Sequence, residues 1–178
     1  MVLGLTSCNF FDKMVDNVAS ANEKLIPKGS ISGNVYTSGY SSLRFTKPDS
    51  WEYASDEKLA EMGMRIDMYA LDAQNGTSVN VMYQNLDLLN ISQSVDEYRA
   101  TIESQISEQT SGEYVRLTDK EVTLCGETYH KQAFRYEMQG VGVIQVHYFR
   151  INDGVLEMVT VGYIENVLTT EEIELMFS

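Results

Sequence analysis

Alternation of apolar and polar residues dominates the second half of the chain. From Glu113 to Ile164 this alternation is rich in β-branched residues, and it is interrupted at Gly126, at Gly140 and at the Asp153-Gly154 pair. Such interruptions between segments of period two mark turns between strands. The pattern therefore predicts a meander of four strands in this part of the chain.

Two shorter strand pairs are predicted upstream of the meander. Met64–Leu71 and Val79–Tyr83 alternate on either side of an Asn75-Gly76 pair. Primed hairpin turns require this kind of pair, because their central residues adopt positive φ. The other predicted pair comprises Asn34–Ser38 and Ser42–Lys47.

Three helices are predicted in addition, two before the meander and one after it. Ser94 and Thr169 each stand three residues before a glutamate, Glu97 and Glu172, and this spacing forms a capping box at a helix start. The helix after Ser94 has a core-facing stripe at three- and four-residue intervals: Val95, Tyr98, Ile102 and Ile106. Its end is predicted near Gly112, and a further helix of about two turns is predicted at Asp56–Glu61.

The last two strands of the predicted meander indicate how the sheet is layered. Val143–Ile151 and Val155–Ile164 carry apolar residues on both of their faces, so both sides of the sheet must be covered. We therefore predict an α+β fold, a mostly antiparallel sheet with helices on both faces, which is an α/β/α sandwich.

The chain before residue 34 is predicted as a separate segment. Phe10–Ile26 has apolar residues at helical spacing, which predicts an amphipathic helix. Residues 27–33 contain Pro27, Gly29 and Gly33, which favour an open linker. The predicted organisation is a segment of residues 1–33 followed by a folded domain of residues 34–178.

Leu5-Thr6-Ser7-Cys8 resembles a bacterial lipobox, in which small residues precede a cysteine whose thiol receives diacylglycerol. Residues 1–5 are too short for a complete apolar signal segment and lack a basic start. Two interpretations follow: a truncated lipoprotein signal with Cys8 as the lipidation site, or a lone cysteine near the start. Membrane contact is predicted only through such a lipid anchor, because no apolar stretch is long enough to span a bilayer.

The run from Val35 to Trp51 resembles the opening of PsbP/Mog1-like domains, in which a small hairpin leads into a Phe-x-x-Pro-x-x-Trp turn, here Phe45, Pro48 and Trp51. Asp56–Ala60, Val81–Leu86 and Ser94–Tyr98 are similar to segments of uncharacterised lipoproteins of Gram-positive gut bacteria. The resemblance spans residues 35–177 and implies the fold and an accessory binding role, since PsbP is an extrinsic subunit of photosystem II and Mog1 binds the GTPase Ran. The resemblance does not assign a functional role to any residue of this chain.

The net charge of the chain restricts the classes of partner that it can bind. Thirteen basic and 26 acidic side chains give a net charge of −13, and a surface of this sign repels nucleic acid phosphates and anionic headgroups. Nucleic acid is therefore not predicted as a partner.

Groups suited to catalysis or metal binding are sparse. His130 and His147 are the only histidines, and Cys8 and Cys125 are the only cysteines. Their spacing matches no zinc, redox or nucleophile motif. We therefore predict no metal site, no cofactor and no enzyme activity. An enzyme using Cys125 or His147 would need both groups in one exposed cleft with a perturbed thiol.

Aromatic residues provide one candidate binding surface in the first part of the domain: Tyr36, Tyr40, Trp51, Tyr53 and Tyr69. Exposed tyrosines bind sugars, peptides or protein surfaces through an apolar ring and a polar tip. Core packing is the competing interpretation.

Two function classes follow from these observations. The first is a noncatalytic, extracytoplasmic, lipid-anchored binding or accessory module that contacts an envelope protein or a small ligand. The second is a cytosolic, Mog1-like interaction or regulatory domain in which Cys8 is never lipidated.

Overall fold

The structure of the chain, a computed structural model, describes residues 26–62 and 66–178. These residues form ten strands and three helices. The strands are β1 Ser30–Ser32, β2 Val35–Thr37, β3 Arg44–Thr46, β4 Glu52–Tyr53, β5 Ile66–Asp72, β6 Thr77–Asn85, β7 Tyr114–Leu124, β8 Glu127–Met138, β9 Val141–Asn152 and β10 Val155–Ile164. The helices are α1 Asp56–Glu61, α2 Val95–Gln109 and α3 Thr170–Glu174.

Seven of these strands form one antiparallel sheet in the order β4-β5-β6-β10-β9-β8-β7. The predicted meander is confirmed as β7 to β10. Each of its three turns has two residues between the strands, Cys125-Gly126, Gln139-Gly140 and Asp153-Gly154, and both residues of every turn have positive φ. This is the geometry of type I′ turns, whose twist matches that of the flanking strands.

Helix α2 covers one face of this sheet. Ser94 and Glu97 form the predicted capping box, and the predicted apolar stripe faces the strands. The Tyr98 ring packs edge-on against Phe149 at 5.1 Å between centroids, and Ile102 and Ile106 are buried in the same cluster. The apolar stripe therefore fixes the helix on β8, β9 and β10.

The other face is covered mainly by a second sheet. Strands β1, β2 and β3 form an antiparallel sheet of their own, and Tyr36 and Phe45 from it are fully buried. The short α3, which has the predicted capping box at Thr169, adds Ile173, and Phe177 packs against Phe45 at 5.1 Å. The α+β class and the antiparallel sheet are confirmed, but this layer is built from strands as well as a helix.

The packed region begins earlier than residue 34. Ile26 is 1% exposed and belongs to the core beneath the second sheet, and residues 30–32 of the predicted linker form β1, which pairs with β2. The predicted helix of residues 10–26, apart from Ile26, and Cys8 lie outside the described residues.

The hairpin between β5 and β6 has the predicted strands, but its turn differs from the prediction. Four residues, 73–76, separate the strands, and the Gly76 N–H donates to the Asp72 carbonyl at 2.8 Å. Gly76 has a φ of 69°, whereas Asn75 is not among the residues with positive φ. The Asp72 carboxylate accepts from the N–H of Gln74 and the side chain of Asn75, so a longer loop is stabilised instead of a two-residue turn.

Strand β7 lies at one end of the large sheet, and its outer edge pairs with no other strand among residues 26–62 and 66–178. It exposes Val115 and Leu117, but it also carries Arg116, Asp119, Lys120 and Glu121. Charged residues on an edge strand oppose pairing with other strands. This edge is therefore protected against association.

We expect the Gln139→Asn substitution to raise the free energy of unfolding by up to about 1 kcal/mol. Gln139 is exposed and has a φ of 54°, a conformation that asparagine adopts more readily than glutamine. Chemical denaturation measures the change. The matched control is Gln139→Val, which should lower stability because a β-branched residue is strained at positive φ. Equal stabilities of the two variants would contradict the assigned turn geometry.

Candidate functional site

The five aromatic residues of the predicted binding surface do not form an exposed cluster. Tyr36 is fully buried and Trp51 is 3% exposed, and both belong to the core. Tyr40, Tyr53 and Tyr69 are partly exposed. The prediction of a shared aromatic surface is therefore wrong for Tyr36 and Trp51. Tyr36 is buried on β2 because this layer covers the large sheet, and the Trp51 ring packs against Phe45 of β3 at 6.3 Å between centroids.

Tyr36 instead takes part in a buried hydrogen-bond pair with Asp67. Its hydroxyl donates to the Asp67 carboxylate at 2.5 Å, and the same carboxylate oxygen accepts from the Gly29 N–H at 2.9 Å. Burial, followed by the charges of Tyr83 and Asp67, raises the pKa of Tyr36 far above its ordinary value. Asp67 thus joins β5 to β2 and to the segment that precedes β1.

Glu157 is the centre of a second buried polar network. It is fully buried as the third residue of β10, and in the sheet register it lies directly opposite Tyr83 on β6 and Arg150 on β9. Its carboxylate accepts from the Arg150 guanidinium at 2.7 Å, from the Tyr83 hydroxyl at 3.0 Å and from the Ser41 hydroxyl at 2.6 Å. A buried carboxylate requires such donors, since burial without them is costly.

Arg150 connects this network to the protein surface. Its Nη1 donates to Glu127, which is 41% exposed, at 2.9 Å. Its guanidinium also lies over the Tyr129 ring, 5.2 Å from the centroid, in a cation–π contact. The network therefore runs from a fully buried carboxylate to one that faces solvent.

The loop between β2 and β3, residues 38–43, covers Glu157. The Ser38 hydroxyl oxygen accepts from the N–H groups of Tyr40 and Ser41, both at 3.0 Å, and lies 2.6 Å from the Tyr83 hydroxyl. The Tyr40 ring packs edge-on against Tyr83, and its hydroxyl donates to the Asn152 carbonyl. The loop is thereby fixed over the network, with Tyr40 and Ser42 at its rim.

This network was not predicted from the sequence. Its signal was an arginine and a glutamate, Arg150 and Glu157, within two strands that are otherwise largely apolar. Such residues are rarely buried without partners, so they indicate a buried ion pair once the strands are known to be neighbours.

His147 lies on the opposite face of the sheet, the face that α2 covers. It is 5% exposed, its Nδ1 lies 3.3 Å from the Thr160 hydroxyl, and its ring packs edge-on against Phe134. Burial lowers the pKa of His147 from 6.5 to about 4. The imidazole is therefore neutral at physiological pH.

His130 has a different environment at the edge of the same face. Its Nε2 lies 2.5 Å from the Asp119 carboxylate, which also accepts from Arg99 of α2 at 2.6 and 3.2 Å. Burial raises the pKa of Asp119, but the hydrogen bonds from Arg99 and His130 outweigh that effect and hold it below its usual value. This cluster fastens α2 to β7 and β8.

Cys125 and His147 are not brought together. Cys125 occupies the β7–β8 turn with a φ of 50°, and its Sγ accepts from the Arg44 N–H at 3.4 Å on the side of the second sheet. It is half-buried in this turn. Burial raises the pKa of its thiol, which disfavours the thiolate that a nucleophile requires.

Residues 26–62 and 66–178 contain no group of three or more histidine, cysteine, aspartate or glutamate side chains arranged to hold a metal ion. Within the same ranges, no helix has both the length and the apolar character needed to cross a bilayer.

The chain has a PsbP-like fold. The solution structure of cyanobacterial PsbP (CyanoP) from Synechocystis sp. PCC 6803 matches it with a TM-score of 0.53 and 12% sequence identity, over 87% of this chain and 98% of that chain. The crystal structure of LpqN, involved in cell envelope biogenesis of Mycobacterium tuberculosis, matches with a TM-score of 0.38 and 11% identity over 75% of each chain. No protein-family model matches the chain, and no curated protein matches it.

Removing the cation that pairs with the buried Glu157 should destabilise the fold strongly. We expect Arg150→Met to lower the free energy of unfolding by about 3 kcal/mol or more, because Glu157 would remain buried without its cation. The matched control is Arg135→Met, whose partner Glu165 is one-third exposed, and it should cost under about 1 kcal/mol. Urea denaturation compares the two, and equal losses would contradict the central role of Glu157.

Stability should fall as the pH decreases from 6.5 to about 4, because the folded pKa of His147 is depressed to about 4. In this window the unfolded chain binds a proton that the folded chain excludes, so the His147 contribution is complete above pH 6.5 and is lost on acidification. The full effect is about 3 kcal/mol. Thermal or urea unfolding across this range should show a flatter pH profile for His147→Gln, and an unchanged profile would refute the assignment.

Proposed function

We propose that the chain is a noncatalytic, extracytoplasmic binding or accessory module, attached to the membrane through a lipid on Cys8. The observation that carries the proposal is the lipobox-like Leu5-Thr6-Ser7-Cys8 placed ahead of a PsbP-like domain. The match with CyanoP supports the fold alone. The role as an accessory module rests on that fold together with the anchor signal.

The beginning of the domain is suited to a tethered arrangement. Ile26 is buried in the core, and Gly29 is bound to Asp67, so the chain is fastened to the domain at the first residues that the structure describes. Seventeen residues lie between Cys8 and Ile26, and fully extended they reach at most about 60 Å. A lipid on Cys8 would therefore keep the domain close to the membrane.

The charge of the domain is consistent with attachment through the lipid alone. The net charge of −13 opposes adsorption onto anionic headgroups. The domain would then stand away from the lipid surface, held by its tether, with its surfaces available to an envelope protein or a small soluble ligand.

The rim of the loop of residues 38–43 is the surface we assign to partner binding. It offers the partly exposed Tyr40 ring, the Ser42 hydroxyl and the carboxylate of Glu127, which lies 3.3 Å from that hydroxyl. An aromatic face beside polar groups suits a protein or a small ligand. Of the five predicted aromatic residues, Tyr40 keeps the candidate role because it lies in this loop, whereas Tyr53 and Tyr69 lie outside it, on β4 and β5.

The hydrogen bonds of the buried and half-buried carboxylates support the noncatalytic part of the proposal. Asp67, Asp119 and Glu157 each bind structural donors, and Cys125 and His147 lie on opposite faces of the sheet. Each of these groups holds two or more elements together.

The test is membrane fractionation and intact mass of the protein expressed from its native gene in the source organism. We expect a lipid-sized increase in mass and membrane partitioning, and we expect Cys8→Ser to abolish both. The matched control is Cys125→Ser, which removes the other cysteine and should retain both the lipid-sized increase in mass and the membrane partitioning. Co-purification from envelope extracts then searches for the partner of the anchored form.

An unmodified, soluble native product would overturn the anchored proposal. That outcome would favour the cytosolic, Mog1-like interaction domain and direct the search for a partner to the cytoplasm.

A further inference from the structure

The face of the large sheet beneath α2 contains a group of buried polar side chains. Four of them lie on three adjacent strands: Gln132, Gln145, His147 and Thr160. Two polar contacts join side chains within this face. Gln145 accepts from the Tyr136 hydroxyl at 2.9 Å, and the Nδ1 of His147 lies 3.3 Å from the Thr160 hydroxyl.

Two buried atoms of this group have no hydrogen-bond partner among the described residues. They are the Nε2 of His147 and the Oε1 of Gln132, and the two residues are 5% and 1% exposed. A buried polar atom without a partner costs about 1–3 kcal/mol. Such atoms in folded proteins are usually bound by ordered water.

The strand register places these two residues side by side. Gln132 on β8 lies directly opposite His147 on β9, and both face α2. Residues directly opposite in antiparallel strands have Cβ atoms about 4.5–5.5 Å apart. The two unpartnered atoms therefore belong to neighbouring side chains on one face, which points to one shared ligand.

We propose that a single buried water molecule bridges the Nε2 of His147 and the Oε1 of Gln132. A water fits both neutral forms of the imidazole. If Nε2 carries the proton, Nε2–H donates to the water and the water donates to Gln132. If Nδ1 carries the proton and donates to Thr160, both facing atoms are acceptors, and a water satisfies them by donating twice.

The chemistry of the site selects a small, neutral ligand. His147, Gln132 and Thr160 are uncharged, and the Phe134 ring packs edge-on against the imidazole at 6.3 Å between centroids. An ion placed here would be buried without a counter-charge from these groups, which is unfavourable. A ligand that donates and accepts hydrogen bonds and occupies little volume meets the requirement, and water is the smallest.

The bridge also explains how the sheet tolerates polar residues beneath an apolar helix stripe. With the water in place, the polar atoms of His147 and the Oε1 of Gln132 are bound within the layer, so α2 can cover them with Ile102 and Ile106. The water therefore completes the interface between α2 and the sheet.

Nuclear magnetic resonance of the isotope-labelled full chain at pH 7 tests the proposal. The carbon-bound Hδ2 and Hε1 protons of His147 flank Nε2 and do not exchange with solvent. We expect cross-peaks from both to the water frequency, with the opposite NOE and ROE signs that a long-lived bound water gives. Absence of these cross-peaks, or a direct hydrogen bond from His147 to Gln132 in their place, would overturn the proposal.

Two variants separate a bridging water from a neighbouring hydroxyl. Gln132→Leu removes one of the two bridged atoms and should abolish the cross-peaks, whereas Thr160→Val keeps the shape of the side chain, removes its hydroxyl and should retain them. Loss of the cross-peaks in Thr160→Val would show that the hydroxyl proton was their source, and it would contradict the bridge. If Gln132→Leu does not fold, the unsubstituted chain and Thr160→Val decide the question.

Discussion

Burial of the central strand on both faces is the constraint on which the rest of the structure depends. From Val155 to Tyr163 every residue of β10 is buried, so the sheet needs two covering layers, and each layer must supply partners for any polar residue beneath it. Helix α2 covers the face of Thr160, and the second sheet covers the face of Glu157, with the loop of residues 38–43 over Glu157 itself. The polar residues of the two faces differ. The face of Glu157 buries an ion pair with hydroxyl donors, and the face of Thr160 buries neutral polar groups.

Local signals were sufficient where the structure is determined by neighbouring residues. The capping boxes at Ser94 and Thr169 and the glycines of the meander turns predicted their elements because each acts over a few residues. The strand β1 could not be predicted in this way, since a three-residue polar strand is stabilised by pairing with β2 rather than by its own sequence. The prediction of a two-residue turn at Asn75 was wrong for a related reason, because the Asp72 carboxylate stabilises the longer loop.

The candidate site was harder to predict because its groups meet only through strand pairing. Glu157 lies opposite Arg150 and Tyr83, but the β6–β10 pairing joins strands that are 70 or more residues apart in the chain. The sequence shows that tyrosines are frequent in the first part of the domain, but it does not show which of them face the core and which face solvent. Tyr36 is buried because β2 packs its inward face onto the large sheet, and Tyr40 is partly exposed because it lies where the strand has ended.

The loop over Glu157 and the N-terminal segment act as one unit for a steric reason. A side chain at position 39 would lie 2.5–2.6 Å from the carbonyl oxygens of Lys28 and Pro27, so only glycine allows the two backbones to pass at this distance. The same segment is fastened through Gly29 to Asp67 and Tyr36. Residues 27–29 therefore support the backbone of the loop beside Tyr40, so the loop depends on a segment that lies before β1 in the chain.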